Sequence, residues 1–282
     1  MVTPEFAGAT LQLLAGAIVR SLLLAGLVAG LLALVRPRRA HLTVHVWTLV
    51  LYAGLAMPLL VWMLPSFSVP LPAFAAWLSS PWPAATGGLR LGTLSAGTVH
   101  AATAPPLSMT WSVIGFGVYA FGAIWLLARA AAAWRAARRL QLSAATIDDA
   151  TLVELAARIA RRFEMRRPPA LLESADVDVP VTCGVHRPSV ILPLSWRSWP
   201  GDTLDAVLLH EIAHVARRDA LTQGLALVYR AVCWINPFAW WLRRRLADLA
   251  EQASDDAALA GGVEPARYAG ILLQFFVAVR AR

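Results

Sequence analysis

The chain has 282 residues, 58% of them hydrophobic and 15% charged, where an ordinary soluble domain carries roughly 45–50% apolar and about 25% charged residues; a disordered chain and a purely soluble one are both excluded. All 25 basic residues are arginine and the formal net charge is +8, but these arginines sit beside long apolar runs and no nucleic-acid-binding motif occurs, so membrane topology accounts for them and direct nucleic-acid binding does not. Cys183 and Cys233 form neither a CxxC nor a cluster, which excludes a disulfide framework and leaves two buried or incidental thiols.

Residues 11–35 form the first expected span, with Arg20 its only charge; length and composition suffice to cross a bilayer with some tilt. Only Glu5 is charged before Arg20, so the segment lacks the basic n-region of a removable signal peptide and is expected to be retained. Residues 42–64, with no Asp, Glu or Arg, and residues 111–128 are the second and third spans. Arg36, Arg38 and Arg39 lie between spans one and two, and Arg129, Arg135, Arg138 and Arg139 follow span three, whereas 65–110 carries only Arg90. Because basic loops stay inside, the N-terminus is expected outside, 65–110 is expected to be a flexible outer loop, and everything from 129 onward begins inside. Arg20 reads either as a functional intramembrane charge or as one facing a polar gap between helices. His41 and His45 have ligand spacing but no third ligand nearby, and read as interfacial histidines.

From 144 to 165 apolar residues recur at helical spacing, with Thr146 the expected cap and Asp148 and Asp149 in the first turn. The segments PALLES, VPVTCGV and RPSVILP then read as short strands of a small sheet, broken by Gly184 and Pro188. Asp202 or Thr203 is expected to cap the next helix, TLDAVLLHEIAHVARRD. This helix contains His210-Glu211-Ile212-Ala213-His214. Two histidines at i and i+4 share a helix face and can reach one zinc ion, while Glu211 projects beside them and can accept a proton from water. A catalytic zinc usually has three protein ligands. In RRRLADLAEQASDDAALA, Glu251 and Asp255 lie at i, i+4, so one could bind metal while the other orients a ligand imidazole; Asp248 and Asp256 match less well.

The segments VPVTCGVHRPSVILP, LLHEIAHVARRD, WINPFAWW and EQASDDAAL, within a resemblance covering roughly residues 10–280, resemble the BlaR/MecR-type integral-membrane zinc metallopeptidases, distant relatives of the HtpX and CAAX-prenyl-protease enzymes. The resemblance implies that His210, His214 and Glu251 bind one Zn2+ per chain, that Glu211 is the general base, that Asp255 orients a ligand, and that Asp219 is a structural partner. It implies a mainly α membrane protein of a bacterial-type inner membrane: residues 1–128 with three transmembrane helices, and 129–282 as a cytoplasmic-face, small α+β zincin-like (gluzincin) metallopeptidase domain with membrane-interfacial helices. Substrates would be a protein or peptide, such as a cytosolic transcriptional repressor or the chain itself. The β-lactam receptors of the family carry a fourth span and an extracellular penicillin-binding domain, and neither lies within residues 1–282.

Residues 220–242 are apolar enough to suggest a fourth span, but a crossing there would put Glu251 on the opposite side from His210 and His214. An interfacial helix is expected instead, with Arg230 in its middle, Asn236-Pro237 as a breaker, and Trp234, Trp240, Trp241 and Arg243–Arg245 suited to an interface. The run YAGILLQFFVAV is short for a span and reads as a helix packed on the peptidase domain. The strands around 179–192 could offer an edge to an extended substrate, and His186 or Tyr229 could assist the oxyanion. A non-catalytic membrane signal transducer with a structural zinc site is the alternative function, against which Glu211 argues, because a structural site has no need of a base. A transporter would need paired polar groups or broken helices within the spans, and Arg20 alone does not supply them.

Overall fold

The computed structural model describes residues 3–35, 40–63 and 107–280. The three apolar runs are helices α1 (Pro4–Val35), α2 (Ala40–Met63) and α3 (Leu107–Ser143). All three contain windows long and apolar enough to cross a membrane, Leu14–Val35, Ala40–Met57 and Trp111–Ser143. Apolar side chains such as Leu23, Leu27, Phe121 and Ile124 lie exposed, as lipid-facing positions require. The outer loop read at 65–110 falls, except for the start of α3, outside the described residues, as do Arg36, Arg38 and Arg39. Arg20 is exposed on α1 while its neighbour Ser21 is buried. His41 and His45 are both exposed, and the His45 ring bonds the His41 carbonyl oxygen at 2.6 Å.

The helix of the third span does not stop at residue 128. The helix continues through the arginine-rich segment to Ser143, because the alanines and arginines that follow the apolar run are good helix formers with no glycine or proline among them. Thr146 is not a cap: β1 (Ala145–Thr146) pairs antiparallel with β2 (Ala170–Ser174), so the next helix, α4 (Ala150–Arg162), begins later. Asp149 caps it by accepting a hydrogen bond from Leu152 N. The sheet is completed by β3 (Val181–Cys183) and β4 (Ser189–Pro193), in the order β1-β2-β4-β3. β2 and β4 are parallel, with Leu172 opposite Ile191; β3 is antiparallel to β4, with Val181 opposite Ile191, and forms one edge of the sheet, β1 the other. The β3–β4 turn depends on Gly184, at φ +89°, where a Cβ would meet the Arg187 carbonyl oxygen at 2.5 Å. Gln141, near the end of α3, donates to that same oxygen and to Ser189.

A short 3-10 turn (Leu194–Ser198) leads into α5 (Gly201–Arg217). Its cap position is Pro200, without a side-chain hydrogen bond, so neither Asp202 nor Thr203 caps it; Asp202 lies in the first turn. α5 is apolar around most of its circumference and packs against α4 and the sheet in one core, with Ile159, Leu171, Val190, Leu208 and Ile212. The 220–242 segment is two helices. α6 (Asp219–Val232) ends before Trp234, and α7 (Pro237–Ala260) begins at a proline that suits the first helical turn. Asn236 is fully buried; its side-chain oxygen accepts from Phe238 N, and its amide donates to Ser21 of α1 at 2.8 Å. α6 and α7 pack on the membrane helices in a second core containing Trp47, Leu51, Tyr229, Phe238, Leu242 and Leu249. The last described helix, α8 (Pro265–Arg280), joins the α5 core through Tyr268 and Ile271, as a helix packed on that domain.

Candidate metal centre

Three helices bring the predicted site residues together. α5 carries His210, Glu211 and His214; α7 carries Glu251 and Asp255; α6 begins at Asp219. One ligand atom from each of His210, His214 and Glu251 lies within 4.8 Å of the others, and this is the metal-capable cluster found among the described residues. The two Nε2 atoms are 3.2 Å apart, and the Glu251 carboxylate oxygens lie 3.6 Å from His210 Nε2 and 3.7 Å from His214 Nε2. Both imidazoles are largely buried, with side-chain exposures of 15% and 13%, while Glu251 is 64% exposed. The site is therefore anchored on its protein side and open on the other.

Each imidazole is fixed through its other nitrogen. Tyr268 Oη, from α8, donates to Asp255 Oδ1 at 2.7 Å. His210 Nδ1 lies 2.9 Å from that hydroxyl oxygen and 3.2 Å from the carboxylate. Since the tyrosine proton is committed to Asp255, His210 Nδ1 must carry a hydrogen, which leaves Nε2, facing His214 and Glu251, as the nitrogen that a metal could take. His214 Nδ1 donates in the same way to Asp219 Oδ2 at 2.8 Å. Asp219 is only 6% exposed, and Arg217 donates to it at 2.7 Å. Arg217 also donates to the Ala250 carbonyl and the Ser254 hydroxyl on either side of Glu251, so one guanidinium ties the helices of His214 and Glu251 together. Asp219 can reach back because Arg218 takes a left-handed conformation, φ 58°, ψ 40°, and turns the chain sharply between α5 and α6. For a non-glycine residue this costs about 1–2 kcal/mol.

Such a donor set fits a zinc ion: two imidazoles and one carboxylate, with each imidazole held by a carboxylate on its far side, is an arrangement zinc sites use repeatedly. Glu211 points beside the pair. Thr182 of β3 donates to its Oε2 at 2.6 Å, linking the edge strand to the carboxylate. A cavity of about 690 Å³ opens at this point, walled by Val179, Pro180, Val207 and Ile271 as well as His210, Glu211 and Glu251.

Some expectations fail here. Tyr229 is 2% exposed and presses against Gly54 of α2, in the core shared with the membrane helices, and His186 is exposed in the β3–β4 turn; neither lines the cavity. Three participants were not foreseen. Tyr268 lay hidden in an apolar run, where a tyrosine hydroxyl nevertheless needs a partner once buried. Thr182 looked like an ordinary strand residue. Arg217 stands at i+3 from His214, the one local hint of its role.

The electrostatics follow from this crowding. Burial alone would lower the His210 pKa, but the Asp255 and Glu251 carboxylates outweigh it and push it up to about 9. His210 in turn holds Glu251 and Asp255 below the usual carboxylate range. Burial and the neighbouring carboxylates push the Tyr268 hydroxyl well above its ordinary value, so it stays a donor. In metal-free protein, a His210 pKa raised from about 6.5 contributes stability that is fully present below the unfolded value and lost as pH rises through about 9. Chelator-stripped protein is therefore expected to melt at a lower temperature above pH 9 than near pH 6.5, and His210→Gln to flatten that difference. A melting temperature that stays level or rises over this window in the stripped wild type would contradict the assignment.

Comparison with known proteins agrees with the geometry. The family model described as BlaR1 peptidase M56 matches residues 13–282. The regulatory protein BlaR1 of Bacillus licheniformis is 35% identical over 89 residues, a stretch covering 32% of this chain and 15% of that relative. A match over nearly the whole sequence, together with three helices of membrane-spanning length, shows that this membrane protein belongs to the BlaR1 peptidase M56 family.

Proposed function

We propose that the protein is a zinc-dependent metalloendopeptidase in which His210, His214 and Glu251 hold one zinc ion, Glu211 is the general base, and Asp255 and Asp219 orient the two imidazoles. The observation that carries this reading is the convergence of both Nε2 atoms and the Glu251 carboxylate within 4.8 Å, beside Glu211 and an apolar cavity. Zinc in such a site acts as a Lewis acid on the scissile carbonyl and brings the pKa of a bound water to about 7. The chain's own residues supply the rest. Glu211, within hydrogen-bond reach of Thr182, takes the proton of the attacking water and passes it to the departing amine. β3 is the edge strand whose Thr182 meets Glu211, and an extended substrate adds alongside it by backbone hydrogen bonds.

The arginine distribution supports an orientation with the N-terminus outside and the site at the cytoplasmic face, with residues 1–128 as the membrane region, 129–282 as the peptidase region, and α6 and the start of α7 along the inner interface. The boundary at 129 is one of topology, since α3 runs through it without a break. The similar protein from Bacillus licheniformis is named a regulatory protein, which favours a role in signal transduction by cleavage of a repressor, another regulatory protein, or the chain itself.

The test is chelator-free purification of the full chain in detergent, elemental analysis, and hydrolysis of an unfolded protein such as casein. About one zinc per chain is expected, with hydrolysis lost on adding 1,10-phenanthroline and regained with zinc. Purified protein without zinc, or hydrolysis indifferent to the chelator, would overturn the reading.

A further inference from the structure

Away from the metal centre, three arginines gather where α3, α6 and α7 meet. The α6–α7 junction is docked on α3 by two reciprocal hydrogen bonds: Tyr119 Oη donates to the Val232 carbonyl at 2.7 Å, and Trp234 Nε1 donates to the Tyr119 carbonyl at 3.1 Å. The Trp234 indole lies on Gly122, where an added Cβ would come within 2.6 Å of the ring. From this contact Arg129 lies two turns along α3 and Arg230 one turn back along α6. The Arg230 guanidinium sits over the Trp240 ring, 4.7 Å from its centroid, and Trp240 Nε1 donates to the Trp234 carbonyl at 2.8 Å. Arg243 follows Trp240 by three residues and so shares its face of α7.

No carboxylate offsets this charge. No Asp or Glu occurs between residues 6 and 147 or between 220 and 247, and among the described residues none of Arg129, Arg230 and Arg243 has an ion-pair partner. The Nε atoms of Arg230 and Arg243 are buried without a hydrogen bond. Burial, and then the charges of Arg243 and Arg129, push the Arg230 pKa down, yet a guanidinium remains protonated at any physiological pH. Three cations held together with no internal counter-charge call for an anion from outside. Its source is indicated by the surroundings: Phe121, Ile124 and Trp125 of α3 are exposed just before Arg129, on a helix long and apolar enough to span.

We propose that Arg129, Arg230 and Arg243, with the Trp240 ring as a platform, form a binding site for the phosphate headgroup of an anionic phospholipid. Basic pockets between helices at a membrane surface recognise such headgroups by charge, while the acyl chains lie along the neighbouring apolar face. The helices that carry these arginines also carry residues of the metal centre. α6 begins at Asp219, which holds His214, and Glu251 follows Arg243 by eight residues on α7, about 12 Å along the helix.

The experiment is a thermal-shift titration of the full chain in neutral detergent with short-chain phosphatidylglycerol, with phosphatidylcholine of the same chain length and inorganic phosphate as separate arms. Phosphatidylglycerol is expected to raise the melting temperature saturably, and the other two are not. At about a fivefold loss of affinity per arginine, Arg230→Gln/Arg243→Gln should weaken the response roughly thirtyfold, and the exposed Arg129→Gln alone about fivefold. Neutralising Arg135, Arg138 and Arg139, which lie further along α3, should leave it intact. The site is overturned if inorganic phosphate gives the same saturable shift, if phosphatidylcholine does, if neutralising Arg135, Arg138 and Arg139 weakens binding as much, or if Arg129→Gln titrates like the wild type. Should the double variant not fold, Arg129→Gln decides the matter by itself.

Discussion

Glu211→Gln is expected to retain about one zinc per chain and to lower peptide hydrolysis by roughly 10²–10⁴-fold, the usual contribution of a positioned general base. The substitution is nearly isosteric and leaves the Glu211 backbone carbonyl, to which Thr182 also comes within 3.2 Å, in place. Glu211 lies outside the trio of His210, His214 and Glu251 that converges on one point, so metal content should not follow its charge. What is lost is the carboxylate's ability to accept a proton from water. Hydrolysis at the wild-type rate in this variant, with metal content unchanged, would remove Glu211 from the role of base and leave the metal site standing. Loss of metal together with activity would instead point to a ligand role.

Glu251→Gln is expected to do the reverse: metal affinity should fall by more than the 10–100-fold that loss of an outer partner of a metal ligand costs, and hydrolysis should fall with it. The reason is geometric. Among the described residues, Glu251 supplies the carboxylate that faces both Nε2 atoms, at 3.6 and 3.7 Å. Its side chain is 64% exposed, so the neutral amide need not disturb the fold, and an unchanged melting temperature under chelation would separate ligand loss from unfolding. Asp255→Asn is the informative neighbour. Asp255 contacts Nδ1 of His210, not Nε2, so its loss should fall within the 10–100-fold range. Equal zinc affinity for Glu251→Gln and wild type, by competition with a chelating dye, would place the third ligand elsewhere.

These two experiments divide along the line between pattern and packing. The spans were legible because apolar length in a bilayer is a local property, with no need of a partner helix. The HExxH pair was legible because positions i and i+4 of one helix must share a face. Glu251 and Asp255 were recognisable as a pair for the same reason. Local rules misjudged the start of α4, since Thr146 is drawn into an antiparallel pair with β2 and leaves Asp149 as the cap. The break within 220–242 falls at Asn236-Pro237, the breaker that the sequence marks, whereas the partner that Asn236 finds in Ser21, far away on α1, has no local signal.

By itself, then, the sequence determined that the chain enters a membrane, that its arginines border the spans, and that one helix carries two imidazoles and a carboxylate in zinc-binding order. Tertiary structure alone decided which acid faces both Nε2 atoms and which grips Nδ1, because side-chain reach across helices depends on how α5, α6 and α7 pack. It also brought in Tyr268, 58 residues from His210, and Thr182, 29 from Glu211. It gathered Arg129, Arg230 and Arg243 from three helices into one cluster that has no ion-pair partner among the described residues. Periodicity reports the neighbours along one helix or strand, whereas hydrogen bonds and charge pairs between elements arise only when burial of their apolar faces has fixed the register between them.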